Sequence, residues 1–576
     1  MEPDTSFLDQ NSDESAGGPE PEPVVTPKEL LAWYSYAFAS EVFAVVSLTT
    51  FIPITLEQLA RDNGFLLPDK TIPCSQTNNV TAPLFAPSPL FDEGRCVVYF
   101  LGHWIDTASF SLYVFSFSVI IQALTVISMG PGADHGSYRK ILLLTFALLG
   151  SISTLLFTVV TPDIFWLGGI LAVIGNVSFG ASIVCINGYL PLLVRNHWEV
   201  RRIVQEIRER RSVAADDINR RSILTSSASP TTERTPLLLT PAPNTDPTLL
   251  ILAHNLHVTT DRVATSVSAN GMAIGYLGGI LLLMVCLGIV SFMGETTFSL
   301  QVGISLSGAW WLLLSAVAAR WLLPRPGPPL PADEGGYVTY AWKKLGKTVI
   351  KARELKNTFW FLVAWVMLSD GYTTITSTAL LFAKTALHIP KTDLILIALI
   401  TPTFAIIGAL IFPGLQRSFG LTTKGTIVLL LCLMLFIPAY GCAGFLPLFK
   451  DLGWGGLTDP RELYVLAMYF GSLLGAMQSY CRTLYGELIP RGREVEFYAL
   501  YAITDKGSSW LGPMVVGHDA RDPQRLHLPL LYAPATHPGP RPHGRRRAWS
   551  RGREAEQGVM SAGGWWPVRY WVTVVL

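Results

Sequence analysis

A chain of 576 residues that is 50% hydrophobic and only 15% charged has too little charge to cover a soluble surface, since soluble domains carry roughly 25% charged residues. That deficit excludes a soluble enzyme as the bulk of the chain and points to lipid. The net charge of +1 excludes no class of partner, so the position of charge along the chain is the more informative quantity.

The first 30 residues are acidic, with no basic stretch followed by a short apolar core, so residues 1–30 read as a disordered tail and the first span itself directs insertion. A bilayer core about 30 Å thick takes about 20 apolar residues per helix. Apolar runs of that size fall at 31–54, 107–129, 140–160, 164–188, 268–293 and 297–322, then at 357–383, 393–415, 424–446, 462–482 and 495–517. A polar segment at 323–356 separates the six from the five and reads as a cytosolic linker between an N-terminal transmembrane half, 31–322, and a C-terminal half, 357–517. The expected fold is therefore an all-α polytopic membrane protein of major facilitator type, built from two six-helix halves around a midplane site, with the twelfth helix missing or altered.

Basic residues follow every even-numbered span: Arg139 and Lys140, Arg195 to Arg221, and Lys343 to Lys356. The positive-inside rule puts these loops, including 189–267, in the cytosol and the 55–106 loop in the lumen. The lumenal loop carries a glycosylation sequon at Asn79 and two cysteines, Cys74 and Cys96, that can pair in an oxidising compartment. The 195–265 loop starts as a basic helix and turns into a Ser/Thr/Pro-rich stretch expected to be disordered after a few turns. Within it Glu233, Leu237 and Leu238 match an acidic dileucine signal, which a cytosolic sorting adaptor can read.

Charges inside spans cost on the order of 2.5–3.5 kcal/mol, so each is a candidate site. Glu41 in span one and Asp370 in span seven sit about ten residues into the first helix of each half. Aligning them pairs Ser40-Glu41 with Ser369-Asp370, followed by Tyr372 and Ser/Thr-rich turns. Two readings stay open: these carboxylates face each other and hold a substrate ammonium or a coupling proton, or they are satisfied locally and lock the halves together. Asp505 and Lys506 form a second intramembrane charge pair, expected near the cytosolic end as partners of loop charges rather than substrate contacts. Gln122, Asn176 and Asn187 are expected to bond between helices, and Gly271, Gly275, Gly278 and Gly279 to allow close helix approach. No cofactor or metal site is expected. Gly346-Lys347-Thr348 has Ala341 where a phosphate-binding loop needs glycine, and topology accounts for the basic loops without nucleic acid.

The stretches WYSYAFASEVFAVVSLTTFIPITLEQLA, SDGYTTITSTALLFAKT and ELIPRGREVEFYALYAITDKGSSWLGP resemble the fungal autophagy-related protein 22 family, a branch of the major facilitator superfamily, over about 30–517. The resemblance implies a multi-pass transporter of the vacuolar membrane that exports amino acids such as leucine after autophagic breakdown. It brings no binding residues with it. The alternatives are a non-transporting membrane factor acting in autophagy through its cytosolic loop, and a facilitator for another small solute. The chain departs from the family pattern after LGP, where 518–576 is an Arg- and Pro-rich tail instead of a twelfth span.

Overall fold

Thr26 starts the first helix: its hydroxyl accepts the Glu29 N–H at 3.3 Å, and Pro27 follows at a position where no N–H is needed. The computed structural model describes residues 22–66, 71–74, 96–100, 102–226, 247–294, 296–327, 355–385, 391–443, 455–457, 459–490 and 492–508. Span one is α1 (Pro27–Val42), a π-helical segment (Phe43–Phe51) and α2 (Ile52–Asp62) in one run. The widened turns precede Pro53, which cannot donate a helical hydrogen bond, and the Thr49 and Thr50 hydroxyls both donate to the Val45 carbonyl.

Within the 55–106 loop β1 (Phe65–Leu66), β2 (Cys96–Phe100) and β3 (His103–Asp106) form an antiparallel sheet in that order, which the sequence reading did not anticipate. Cys74 and Cys96 are joined by a disulfide. Phe100 packs edge-on to Phe110 and Phe165, fixing the sheet over the ends of spans two and four.

Spans two to four are α3 (Thr107–Ala133), α4 (Tyr138–Leu155, ending in a 3₁₀ turn) and α5 (Phe165–Arg195). After α6 (Trp198–Ser226) come α7 (Pro247–Met293) and α8 (Thr297–Trp321), spans five and six. The second half contains α9 (Lys356–Thr385), α10 (Lys391–Phe419), α11 (Thr423–Ala443), α12 (Pro460–Leu488) and α13 (Glu494–Ser508), at predicted spans seven to eleven. Among the described residues, eight helices are long and apolar enough to cross a membrane by length and composition. The twelfth span and the 518–576 tail lie outside the described residues.

Two expectations, about the 195–265 loop and the N-terminal tail, are corrected. The 195–265 loop is far more helical than a few turns: α6 runs for 29 residues and α7 begins at Pro247. The cause is an apolar stripe at helical spacing, Val200, Ile203, Val204 and Ile207, packed with Leu249, Leu252 and Leu256 of α7 and supported by an Arg262–Glu199 ion pair. The acidic tail is likewise ordered from residue 22. Arg325, just past span six, takes Glu29 bidentately at 2.7 and 2.8 Å and reaches Glu22 at 3.2 Å.

Two buried clusters form the core. One fills the N-terminal half and also takes in Val495, Phe497 and Tyr498 from α13, while the other lies among α9, α11 and α12 around Trp365, Met434 and Tyr480. The first turns of span eleven are thus built into the opposite half.

Candidate functional site

Asp134, in the short loop after span two, accepts the backbone N–H groups of Val495 at 2.8 Å and Glu496 at 2.9 Å. These are the unsatisfied donors at the start of α13, so a carboxylate from one half caps a helix of the other. Arg139 donates to Asp134 at 2.8 Å and to Glu494 at 3.2 Å, and Arg195 also pairs with Glu494. Burial pushes the Asp134 carboxyl up to about 6; Arg139 opposes the rise and the Glu494 charge adds to it. Burial also pushes Glu494 up, but Arg195 and Arg139 outweigh it and hold that carboxyl below its ordinary value. Close approach is possible because Gly130 and Gly188 present no side chain: a Cβ on Gly188 would lie 2.6 Å from Val495 Cγ2. The sequence reading used Arg139 and Arg195 only to orient the chain and did not see this network.

Further along the seam lies Arg482 on α12, half-buried, at the edge of the predicted span ten. Its Nε donates to Ser268 Oγ at 3.1 Å, Nη2 to the Ser268 carbonyl at 2.8 Å, and Nη1 to Asn187 Oδ1 at 3.4 Å. The guanidinium carbon is 5.5 Å from the centre of the Trp33 ring, and the Trp33 indole N–H donates to the Ile186 carbonyl at 3.0 Å. One turn back on α12, Gln478 accepts the Tyr276 hydroxyl at 3.1 Å, and Ser268 Oγ also reaches the Ser479 carbonyl at 3.0 Å. Spans one, four and five of the first half therefore converge on span ten of the second. Among the described residues, side-chain hydrogen bonds and ion pairs join the halves at this level and around Asp134, Arg139, Arg195 and Glu494.

The predicted site residues are distributed differently from the expectation. Glu41 lies against Gly275, where an added Cβ would stand 3.3 Å from Glu41 Cβ, and it is within electrostatic reach of Arg482 and Tyr276. Ser40 is buried and donates to the Tyr36 carbonyl at 2.9 Å, within its own helix. Asp370 is buried on α9, which packs against α12 and α13. Ser369 and Tyr372 bind Asp505 instead, each hydroxyl 2.8 Å from Oδ1. This corrects the reading of Asp505 as a partner of loop charges: it stands three turns into α13, roughly 16 Å from the helix start, and is satisfied by span seven. The Lys506 side chain, Asn79, and the Glu233, Leu237 and Leu238 motif lie outside the described residues. Asn176 donates to Ser118 at 2.6 Å between spans four and two, and Asn187 reaches span ten, as interhelical bonding requires. Gly271, Gly275 and Gly278 all meet α1, with Gly271 directly over the Trp33 ring.

Residues 25–522 match the family described as "Vacuole effluxer Atg22 like". The chain is 43% identical to Autophagy-related protein 22-1 of Aspergillus fumigatus, covering 85% of this chain and 84% of the relative. It is 44% identical to Autophagy-related protein 22-1 of Penicillium rubens over the same shares, and 44% identical to Autophagy-related protein 22 of Coccidioides immitis over 85% and 81%. Among solved structures it is similar to the major facilitator proton:xylose symporter XylE, with a TM-score of 0.52 at 9% identity, covering 96% of this chain and 95% of that one. That likeness shows the fold.

Proposed function

The chain belongs to the vacuole effluxer Atg22-like family, and from that membership we propose that it is a secondary transporter of the vacuolar membrane, exporting amino acids, leucine and other neutral ones, that autophagic degradation releases. It is a transporter of major facilitator fold, not an enzyme.

The observation that carries the reading is the bonded seam between the two halves. Asp134, Arg139, Arg195 and Glu494 close the two halves against each other at the cytosolic face. A transporter that receives solute from the lumen needs such a state, in which the cytosolic path is shut by contacts that can be broken and remade. Release then requires the first turn of α13 to leave Asp134, exchanging buried hydrogen bonds for hydration.

The test is efflux of a labelled amino-acid panel from vacuolar vesicles, with and without a pH gradient. Efflux of neutral amino acids that depends on the protein supports the proposal; unchanged efflux in its absence rejects it. A second reading, a non-transporting autophagy factor, draws on the cytosolic hairpin of α6 and the start of α7, which offers a helical surface beyond the bilayer. Deleting the 195–265 loop abolishes function on that reading while Glu41 and Asp370 are dispensable; on the first, efflux is the function that is lost when the transport path is blocked.

A further inference from the structure

We propose that Arg325 and Glu22 form a latch that fixes the spacing of Asp134 and Arg195, the two first-half groups that hold the start of α13, and so act as positioning residues for closure of the seam; this rests on the reading of that seam as the contact that opens in transport.

Arg325 follows α8 and is 3% exposed. Its backbone φ is 41°, in the left-handed region that residues other than glycine seldom adopt, and a proline stands on either side of it. Such a conformation persists only where the surroundings hold it, and here the side chain supplies the hold. Nε and Nη2 take Glu29 at 2.7 and 2.8 Å, Nη2 also donates to the Pro23 carbonyl at 3.2 Å, and Nη1 reaches Glu22 at 3.2 Å. All of these partners belong to the first half, so Arg325 acts on the seam through the chain it bends.

Two lines lead from the latch to the seam. The turn at Arg325 carries Gly327 back onto the loop after span two, where its N–H donates to the Gly136 carbonyl at 3.0 Å. The approach is so close that a Cβ on Gly327 would stand 1.9 Å from the Asp134 carbonyl oxygen. On the same turn the Pro324 carbonyl accepts the Tyr189 hydroxyl at 3.3 Å, and the Arg139 guanidinium carbon lies 5.6 Å from the centre of the Tyr189 ring. The second line runs through Glu22. Its carboxylate accepts the Asn196 side-chain amide at 2.5 Å, Arg201 donates to its carbonyl, and the Val25 N–H donates to the Asn196 carbonyl at 3.0 Å. Asn196 directly follows Arg195, which holds Glu494. One Glu22–Arg325 pair therefore joins the loop of Asp134 to the residue beside Arg195. Both anchors must engage α13 together, because Asp134 takes the N–H groups of Val495 and Glu496 while Arg195 takes the carboxylate of the residue before them. Holding two anchors at a fixed spacing removes the ordering cost of closing on both. The Glu29 side of the latch is fully buried, whereas the Glu22 side chain is 40% exposed, so Glu22 is the end that can let go.

The experiment uses the full chain with spin labels on α3 and α13, reading the closed-to-open ratio against pH, with thermal unfolding alongside. Glu22→Gln removes the exposed ion pair and leaves Arg325 with Glu29, so the fold is kept and the ratio at pH 7.5 should fall about two- to fivefold. Gly327→Ala drives a methyl into the Asp134 carbonyl and should lower the ratio about 5- to 100-fold. Both should also flatten the rise of the ratio between pH 7.5 and 5.5, because Asp134 drawn off the Val495 and Glu496 N–H groups loses the burial that lifts its carboxyl while Arg139 and Glu494 still face it. Where Gly327→Ala does not accumulate, Glu22→Gln decides by itself. A lower unfolding temperature with the ratio and its pH dependence unchanged assigns the latch to fold stability and overturns the inference. Wild-type distances that shift with pH while the variants match the wild type overturn the latch alone. Wild-type distances that stay fixed across that pH range and in Asp134→Asn overturn the seam reading with it.

Discussion

The ring of Trp33 lies 5.5 Å from the guanidinium carbon of Arg482 while its indole N–H is held by the Ile186 carbonyl at 3.0 Å, so one side chain of span one ties span four to span ten. The arrangement is possible only because Gly271 has no Cβ, since one there would overlap the ring. Gly271→Ala is therefore expected to displace Trp33 and destabilise the seam by about 1–3 kcal/mol, the usual cost of overpacking. Gly288→Ala, on the same helix with nothing within 4 Å of the added methyl, is the control and should be neutral or slightly stabilising. Thermal unfolding of the detergent-solubilised protein, with vesicle efflux measured alongside, decides this. Equal behaviour of the two variants would show that the Trp33 contact is dispensable.

The positions of the spans were legible in the sequence because lipid demands about 20 apolar residues in a row, a local property. The seam was not. Asp134 and Val495 are 361 positions apart, and nothing near either residue announces the other. The same holds for Ser369 and Asp505, 136 positions apart. Arg482 could have been found, since an arginine at the inner margin of an apolar run is costly, but it was absorbed as the end of span ten. The α6 hairpin was also legible: Val200, Ile203, Val204 and Ile207 carry the helical period, and the Ser/Thr/Pro content further along masked it.

Asp134 gives the cytosolic closure a pH dependence with a definite sign. In the closed state its carboxyl is lifted to about 6, against an ordinary 3.8. Once the face opens, the group is hydrated and returns toward the ordinary value. The closed state therefore binds the proton more tightly: closure gains stability as cytosolic pH falls through 6, and that gain is lost as pH rises through 6. Glu494 acts the other way, because its carboxyl is depressed in the closed state, but its contribution is lost only below its ordinary 4.5, so Asp134 governs the range between. Spin-label distances across the seam from α3 to α13 should show the closed-to-open ratio rising about fourfold between pH 7.5 and 5.5. The rise should vanish in Asp134→Asn. A ratio that falls with acidification contradicts the assignment.

Sorting is expected to depend on Leu237 and Leu238, which follow Glu233 in the segment between α6 and α7. An adaptor pocket needs both side chains, so changing both to Ala should move the protein from the vacuolar membrane to other membranes without altering its abundance. Fluorescence microscopy of the tagged full chain reads this directly. Unchanged vacuolar location assigns sorting to another segment.

Asp505 separates a structural carboxylate from a working one. Its Oδ1 accepts hydroxyls from both Ser369 and Tyr372, and Ser369 also reaches the Asp505 carbonyl at 2.9 Å. Asparagine keeps an acceptor oxygen in the same place, so Asp505→Asn can hold both hydroxyls and should show near-normal abundance and efflux per molecule. Alanine leaves two hydroxyls inside the bundle without their acceptor, at about 1–3 kcal/mol each, so Asp505→Ala should lose most of its correctly localised protein. The order reverses if Asp505 carries a coupling proton. In that case Asp505→Asn is abundant and properly localised yet fails to transport, because the amide cannot take up and release a proton at any accessible pH. Efflux per unit of vacuolar protein in the two variants therefore distinguishes a hydroxyl acceptor from a proton carrier, and the geometry of Ser369 and Tyr372 favours the acceptor.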